Sequence, residues 1–76
     1  MKKSYISEQF GNSATIEESR GYPYKGAAEK QQEFILSCYA DYDNGKMYHL
    51  SIHETYDEAY SRMMKISCGK WKEITT

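Results

Sequence analysis

Asp43-Asn44-Gly45 sits between two apolar and aromatic runs in "EFILSCYADYDNGKMYHLSIH", residues 33 to 53. Turn chemistry flanked by strand-forming residues is the strongest short-range signal for a β-hairpin. The pairing register depends on how many residues the loop holds. A two-residue type I′ loop would oppose Cys38 to Ser51 and Leu36 to His53, and both faces would then mix apolar and polar side chains. A three-residue loop, with Gly45 left-handed in the bulge position, opposes Tyr42 to Lys46, Ala40 to Tyr48, Cys38 to Leu50 and Leu36 to Ile52.

The second register gathers Phe34, Leu36, Cys38, Ala40, Tyr42, Tyr48, Leu50 and Ile52 on one face. The other face collects Ile35, Ser37, Tyr39, Asp41, Met47, His49, Ser51 and His53. A slip of one residue carries a whole strand's side chains across the sheet, and each apolar group moved is worth about 1.5 to 3 kcal/mol, so the three-residue loop is expected. A helix over "AAEKQQEFILSCYADYDNG" competes with the first strand, because its start is rich in helix formers and Gly45 could cap its end.

Downstream, "TYDEAYSRMMKISCGK" reads as a helix at about 56–67. Thr55 and Glu58 form a capping box, Asp57 and Glu58 suit the positive end of the helix dipole, and Arg62 and Lys65 suit the negative end. Gly69 is the expected closing residue. Tyr56, Ala59, Tyr60, Met63 and Ile66 recur at spacings of three and four, which makes one apolar stripe. So short a helix needs a sheet to lie on.

At the other end, "KSYISEQFGNSATIEES" reads as a hairpin turning at Gly11-Asn12, with Ile6, Phe10, Ala14 and Ile16 as its core residues. "RGYPYKGAAEKQQ" is a connection punctuated by Gly21, Pro23 and Gly26. "KWKEITT" closes the chain as a short strand, with Trp71 on the sheet edge. The expected fold is α+β over a single domain, 1–76. An antiparallel sheet of four to five strands carries one helix on one face, in the order ββββαβ.

Seventy-six residues bury only about 60% of their unfolded surface, so the stability margin is narrow. With 39% hydrophobic and 28% charged residues the chain is globular rather than disordered. Its net charge of -1 disfavours duplex nucleic acid, whose binding rests on phosphate attraction. "MKKSYISEQF" has no apolar stretch behind its lysines, and nowhere do about 18 apolar residues run together, so no membrane role is implied and the expected location is the cytoplasm. Cys38 and Cys68 are expected to be reduced and to pack as small hydrophobes.

Enzymatic chemistry finds little to stand on. A Cys-His nucleophile needs both groups on one face, and the three-residue loop separates them. His49 and His53 stand four strand positions apart, about 13 Å, which is too far to share a zinc ion. Glycine-rich phosphate loops, C-x-x-C and G-x-S-x-G are all missing, so neither a metal nor a small-molecule cofactor is implied.

Eight tyrosines are the largest compositional deviation. The expected interaction face is Tyr39, His49, Met47, His53 and Ile35, enlarged by Tyr22 and Tyr24 beside Pro23; aromatic and Met enrichment with few charges marks an interface core. The competing arrangement covers that face with the 20–32 connection. The expected function is a small non-enzymatic binding domain acting on a protein partner, of the kind phages and mobile elements use to inhibit or adjust a host protein. Self-association into a homodimer is a natural case, because a small antiparallel sheet has edges to pair. The alternative is a single-stranded nucleic-acid platform, in which Tyr39, His49 and Tyr22 stack on bases and Lys30, Lys46, Lys70 and Lys72 track phosphates.

Overall fold

A computed structural model describes residues 1–7, 11–40, 46–66 and 70–74. Strands β1 (Lys2–Ser7), β2 (Ser13–Gly21), β3 (Gln31–Ala40) and β4 (Lys46–His53) lead into helix α1 (Tyr56–Lys65) and a last strand, β5 (Trp71–Ile74). They form one antiparallel sheet in the spatial order β4-β3-β2-β1-β5, with α1 lying against β2, β3 and β4. The α+β architecture and its ββββαβ order are those expected. Residues 31–40, which competed as helix, are strand. Because β4 and β5 occupy opposite edges, the chain must cross the whole sheet between them. A ten-residue helix, about 15 Å long, carries most of that crossing over one face.

Local signals account for the helix start. Thr55 is extended (φ −132°, ψ 157°), and its side chain accepts a 3.1 Å hydrogen bond from the Glu58 backbone N–H. The helix stops at Lys65, earlier than the spacing suggests, because Ile66 turns extended (φ −94°, ψ 137°) while its N–H still reaches the Met63 carbonyl. Gly69 and Cys68 lie outside the described residues, as do Phe10 and the turn at Asp43-Asn44-Gly45.

The β1–β2 hairpin opposes Tyr5 to Ala14 and Lys3 to Ile16. At its turn Gly11 adopts φ 70°, a left-handed conformation that suits glycine, and donates its N–H to the Ser7 carbonyl at 2.9 Å. The pairing sends Tyr5 and Ser7 inward in place of Ile6, which belongs to the opposite face.

The core is Tyr5, Ala14, Ile16, Leu36 and Cys38 from the sheet with Ala59 and Met63 from the helix, flanked by Phe34, Tyr56, Ile66 and Trp71. Tyr5 and Tyr56 join through their hydroxyls, Tyr60 stacks on Tyr56, and Phe34 meets Tyr56 edge-on. Burial, reinforced by the bond to Tyr56, raises the Tyr5 phenol well above its ordinary range.

Among the described residues Ser7 is the one buried polar side chain, and its hydroxyl has no hydrogen-bond partner there. An unsatisfied buried hydroxyl costs about 1 to 3 kcal/mol. Ser7→Ala is therefore expected to stabilise the domain by about 1 kcal/mol. A urea midpoint that moves up, not down, checks it.

Candidate interaction surface

The β3–β4 pairing overturns the register expected from the three-residue loop. Phe34 opposes His53, Leu36 opposes Ser51 and Cys38 opposes His49; Ile35 opposes Ile52 and Ser37 opposes Leu50. A register shift between Cys38 and Tyr39 then sets Tyr39 opposite Met47 and Ala40 opposite Lys46. The division of β3 is as expected, with Phe34, Leu36 and Cys38 on the helix face. That of β4 is reversed: His49, Ser51 and His53 join the helix face, and Leu50 and Ile52 join the open one.

The physical reason lies in the helix. Its apolar stripe covers the middle strands, where Ala59 and Met63 meet Ile16, Leu36 and Cys38. Over edge strand β4 it presents a polar flank instead. Asp57, Glu58, Ser61, Arg62 and Lys65 line an open groove of about 400 Å³ with His53. Leucine and isoleucine turned toward that flank would gain little, so transfer energies that assume full cover do not apply.

On the helix face the two imidazoles lean toward each other. His49 Nε2 lies 2.9 Å from Ser51 Oγ, and His53 Nε2 lies 2.7 Å from the same oxygen. The separation inferred from strand rise therefore does not hold for the ring nitrogens, which flank a single hydroxyl. Ser51 has one proton, so it donates to one ring and accepts an N–H from the other when both are neutral. Among the described residues, no group of three His, Cys, Asp or Glu side chains is gathered so as to hold a metal ion. Cys38 is fully buried, and burial pushes its thiol up to about 11 against the opposing pull of a hydrogen bond with Tyr48, which keeps it protonated at neutral pH.

Burial lowers the His49 pKa below 6.5, aided by the charge of Arg62 and by His53. The unfolded chain then binds the proton more tightly, so stability is complete above about pH 6.5 and declines as pH falls toward the folded value. Wild type is expected to lose melting temperature between about pH 7.5 and about pH 5.5, and His49→Gln to lose less. Identical slopes in a pH series of thermal melts would contradict this.

On the open face, the half toward β1 and β5 sets Ile6 and Ile74 among Lys2, Ser4, Ser13, Thr15, Glu17 and Lys72. The half toward β4 is apolar, with Ile35, Tyr39, Leu50 and Ile52. Leu50 and Ile52 are 58% and 61% exposed, and Met47, at 47%, lies opposite Tyr39. The 20–32 connection leaves these side chains in solvent. Tyr22 and Tyr24 are themselves exposed on it, and Lys30 stands 5.6 Å from the Tyr22 ring centre. Tyr22 and Pro23 share a cleft of about 290 Å³ with Ile52, His53 and Glu54 at one end of β4.

The residues expected to act together thus divide. Ile35, Tyr39 and Met47 stay on the open face, His49 and His53 lie on the helix side, and Tyr22 and Tyr24 occupy the connection. The Tyr39–His49 stacking pair of the nucleic-acid platform is split between two faces. Leu50 and Ile52, expected in the core from the sequence, are exposed apolar side chains of the open face. A scan against protein-family models and searches of curated proteins and of solved structures give no match for this chain.

Proposed function

We propose that this chain is a small non-enzymatic binding domain that acts through protein–protein contact, using the apolar half of the open sheet face. The observation that carries it is the exposure of Leu50 and Ile52 on an edge strand, beside Ile35 and Tyr39 on the neighbouring strand. Contiguous apolar side chains rimmed by polar ones, here Glu54 and Glu17, are the arrangement of an interaction site rather than of a solvated sheet. Tyr39 and Met47, paired across the strands, add the adaptable contact area that interface cores favour.

The test is a comparison of proteins bound from a native extract by wild type and by Leu50→Lys/Ile52→Lys. Both positions are exposed, so an unchanged far-UV circular dichroism spectrum is expected. Proteins held by wild type and lost from the double variant support the proposal. The same proteins retained by both would show that the strip is not the binding site.

A further inference from the structure

The apolar strip of the open face runs into a cleft at the Ile52 end of β4. Tyr22 and Ile52 wall a space of about 290 Å³ there, and Glu33, Glu54, Gln31 and Gln32 also line it. No Lys or Arg side chain does. His53, which does, turns its Nε2 to the Ser51 hydroxyl at 2.7 Å. Glu33 alternates with the inward Phe34 on β3, so it shares the open face with Ile35 and Ile52. Its carboxylate lies against Gly21, in the space that a β-carbon at residue 21 would need, which places it next to the Tyr22 end of the cleft.

Among the described residues neither Glu33 nor Glu54 has an ion-pair partner. The glutamates that do are Glu18, with the N-terminal amine, and Glu73, with Lys3. Lys30 stands 5.6 Å from the Tyr22 ring centre but does not line the cleft. Two carboxylates that share a cleft disfavour each other's charge, and a cation between them favours both.

We infer that the strip and this cleft together dock an extended segment of a partner protein that carries an arginine two positions from an apolar residue. This deepens, and rests on, the protein-binding role of the strip. Charge complementarity selects the occupant. A guanidinium is planar, offers five N–H donors and stacks on aromatic faces, so one group meets two carboxylates, the glutamine carbonyls and the Tyr22 ring. An ammonium is a compact, strongly hydrated charge with three donors and matches that set less well. Strand geometry gives the spacing. Residues two apart in an extended chain point the same way at about 6.6 Å, which is also the spacing of Leu50 and Ile52 along β4. With the arginine in the cleft beside Ile52 and Glu54, an apolar side chain two positions away comes over Leu50.

The probe is the peptide acetyl-Leu-Ser-Arg-Ser-Leu-amide, which carries a leucine two positions from the arginine on either side, titrated into the protein and followed by backbone amide shifts in NMR. Shifts gathered at Tyr22, Leu50, Ile52 and Glu54 are expected. The same peptide with citrulline, the neutral isostere of arginine, is expected to bind roughly tenfold more weakly. E33Q/E54Q is expected to lose roughly tenfold in affinity for the arginine peptide and to bind the citrulline peptide as wild type does. Equal affinity for the two peptides, a double variant that binds the arginine peptide like wild type, or no shifts at those amides overturns the inference. Extract proteins lost from Leu50→Lys/Ile52→Lys but held unchanged by E33Q/E54Q would overturn the arginine site alone; proteins held alike by all three chains would overturn the wider role as well.

Discussion

Leu36→Ala is expected to lower stability by about 2 to 5 kcal/mol, the cost of opening a cavity where a leucine is fully buried. Leu36 lies at the centre of the core, opposite Ile16 on β2 and Ser51 on β4, under the Ala59–Met63 side of the helix. A domain of 76 residues holds on the order of 4 to 11 kcal/mol in total, so this one truncation is a large part of it. Leu50→Ala, opposite Ser37 on the open side, is expected to change stability by under about 0.5 kcal/mol when measured on dilute protein. Urea titrations of the pair check both. Equal losses at the two leucines would mean that both β4 faces are covered, contrary to the pairing of Ser51 with Leu36.

The second large effect is expected at Trp71. From β5 its indole Nε1–H reaches back to the last turn of the helix, 3.0 Å from the Met63 carbonyl and 3.3 Å from that of Ile66. The indole thus adds a donor at the helix end, sharing the Met63 carbonyl with the Ile66 N–H, while its ring packs against the core. Trp71→Ala removes both contributions and is expected to cost about 3 kcal/mol, less than a fully buried tryptophan would. Trp71→Phe keeps most of the packing and gives up the donor, for about 1 kcal/mol. Since β5 is tied to β1 over only four residue pairs, the alanine variant is also expected to expose the amides of β5 to hydrogen exchange. Protection of β5 equal to wild type would show that the indole does not hold this edge.

Hydrophobic spacing and capping chemistry made the helix, its start at Thr55 and its inward residues Ala59 and Met63 legible. The same holds for the strands and their order, and for Ala14, Ile16, Leu36 and Cys38 in the core. The candidate surface was legible only in part. Ile35, Tyr39 and Met47 were assigned to the exposed side from alternation and lie there or at its rim. Leu50 and Ile52 were assigned to the core because they are apolar and close to a turn, and a count of buried side chains favours the register that hides them.

What the sequence determined by itself is what forms within a few residues: a capped helix, its apolar stripe, a glycine turn at Gly11 and strand-forming runs with period two. These depend on neighbours three or four positions away, and no distant contact is needed to set them. Only the tertiary structure decided which face of β4 looks inward. That choice depends on β4 being an edge, on the polar flank of α1 lying above it, and on two histidines finding a shared hydroxyl at Ser51. The first two are relations between segments far apart in the chain, the third becomes possible only once β4 turns that face inward, and together they outweigh the transfer energy of two apolar side chains that the helix does not reach.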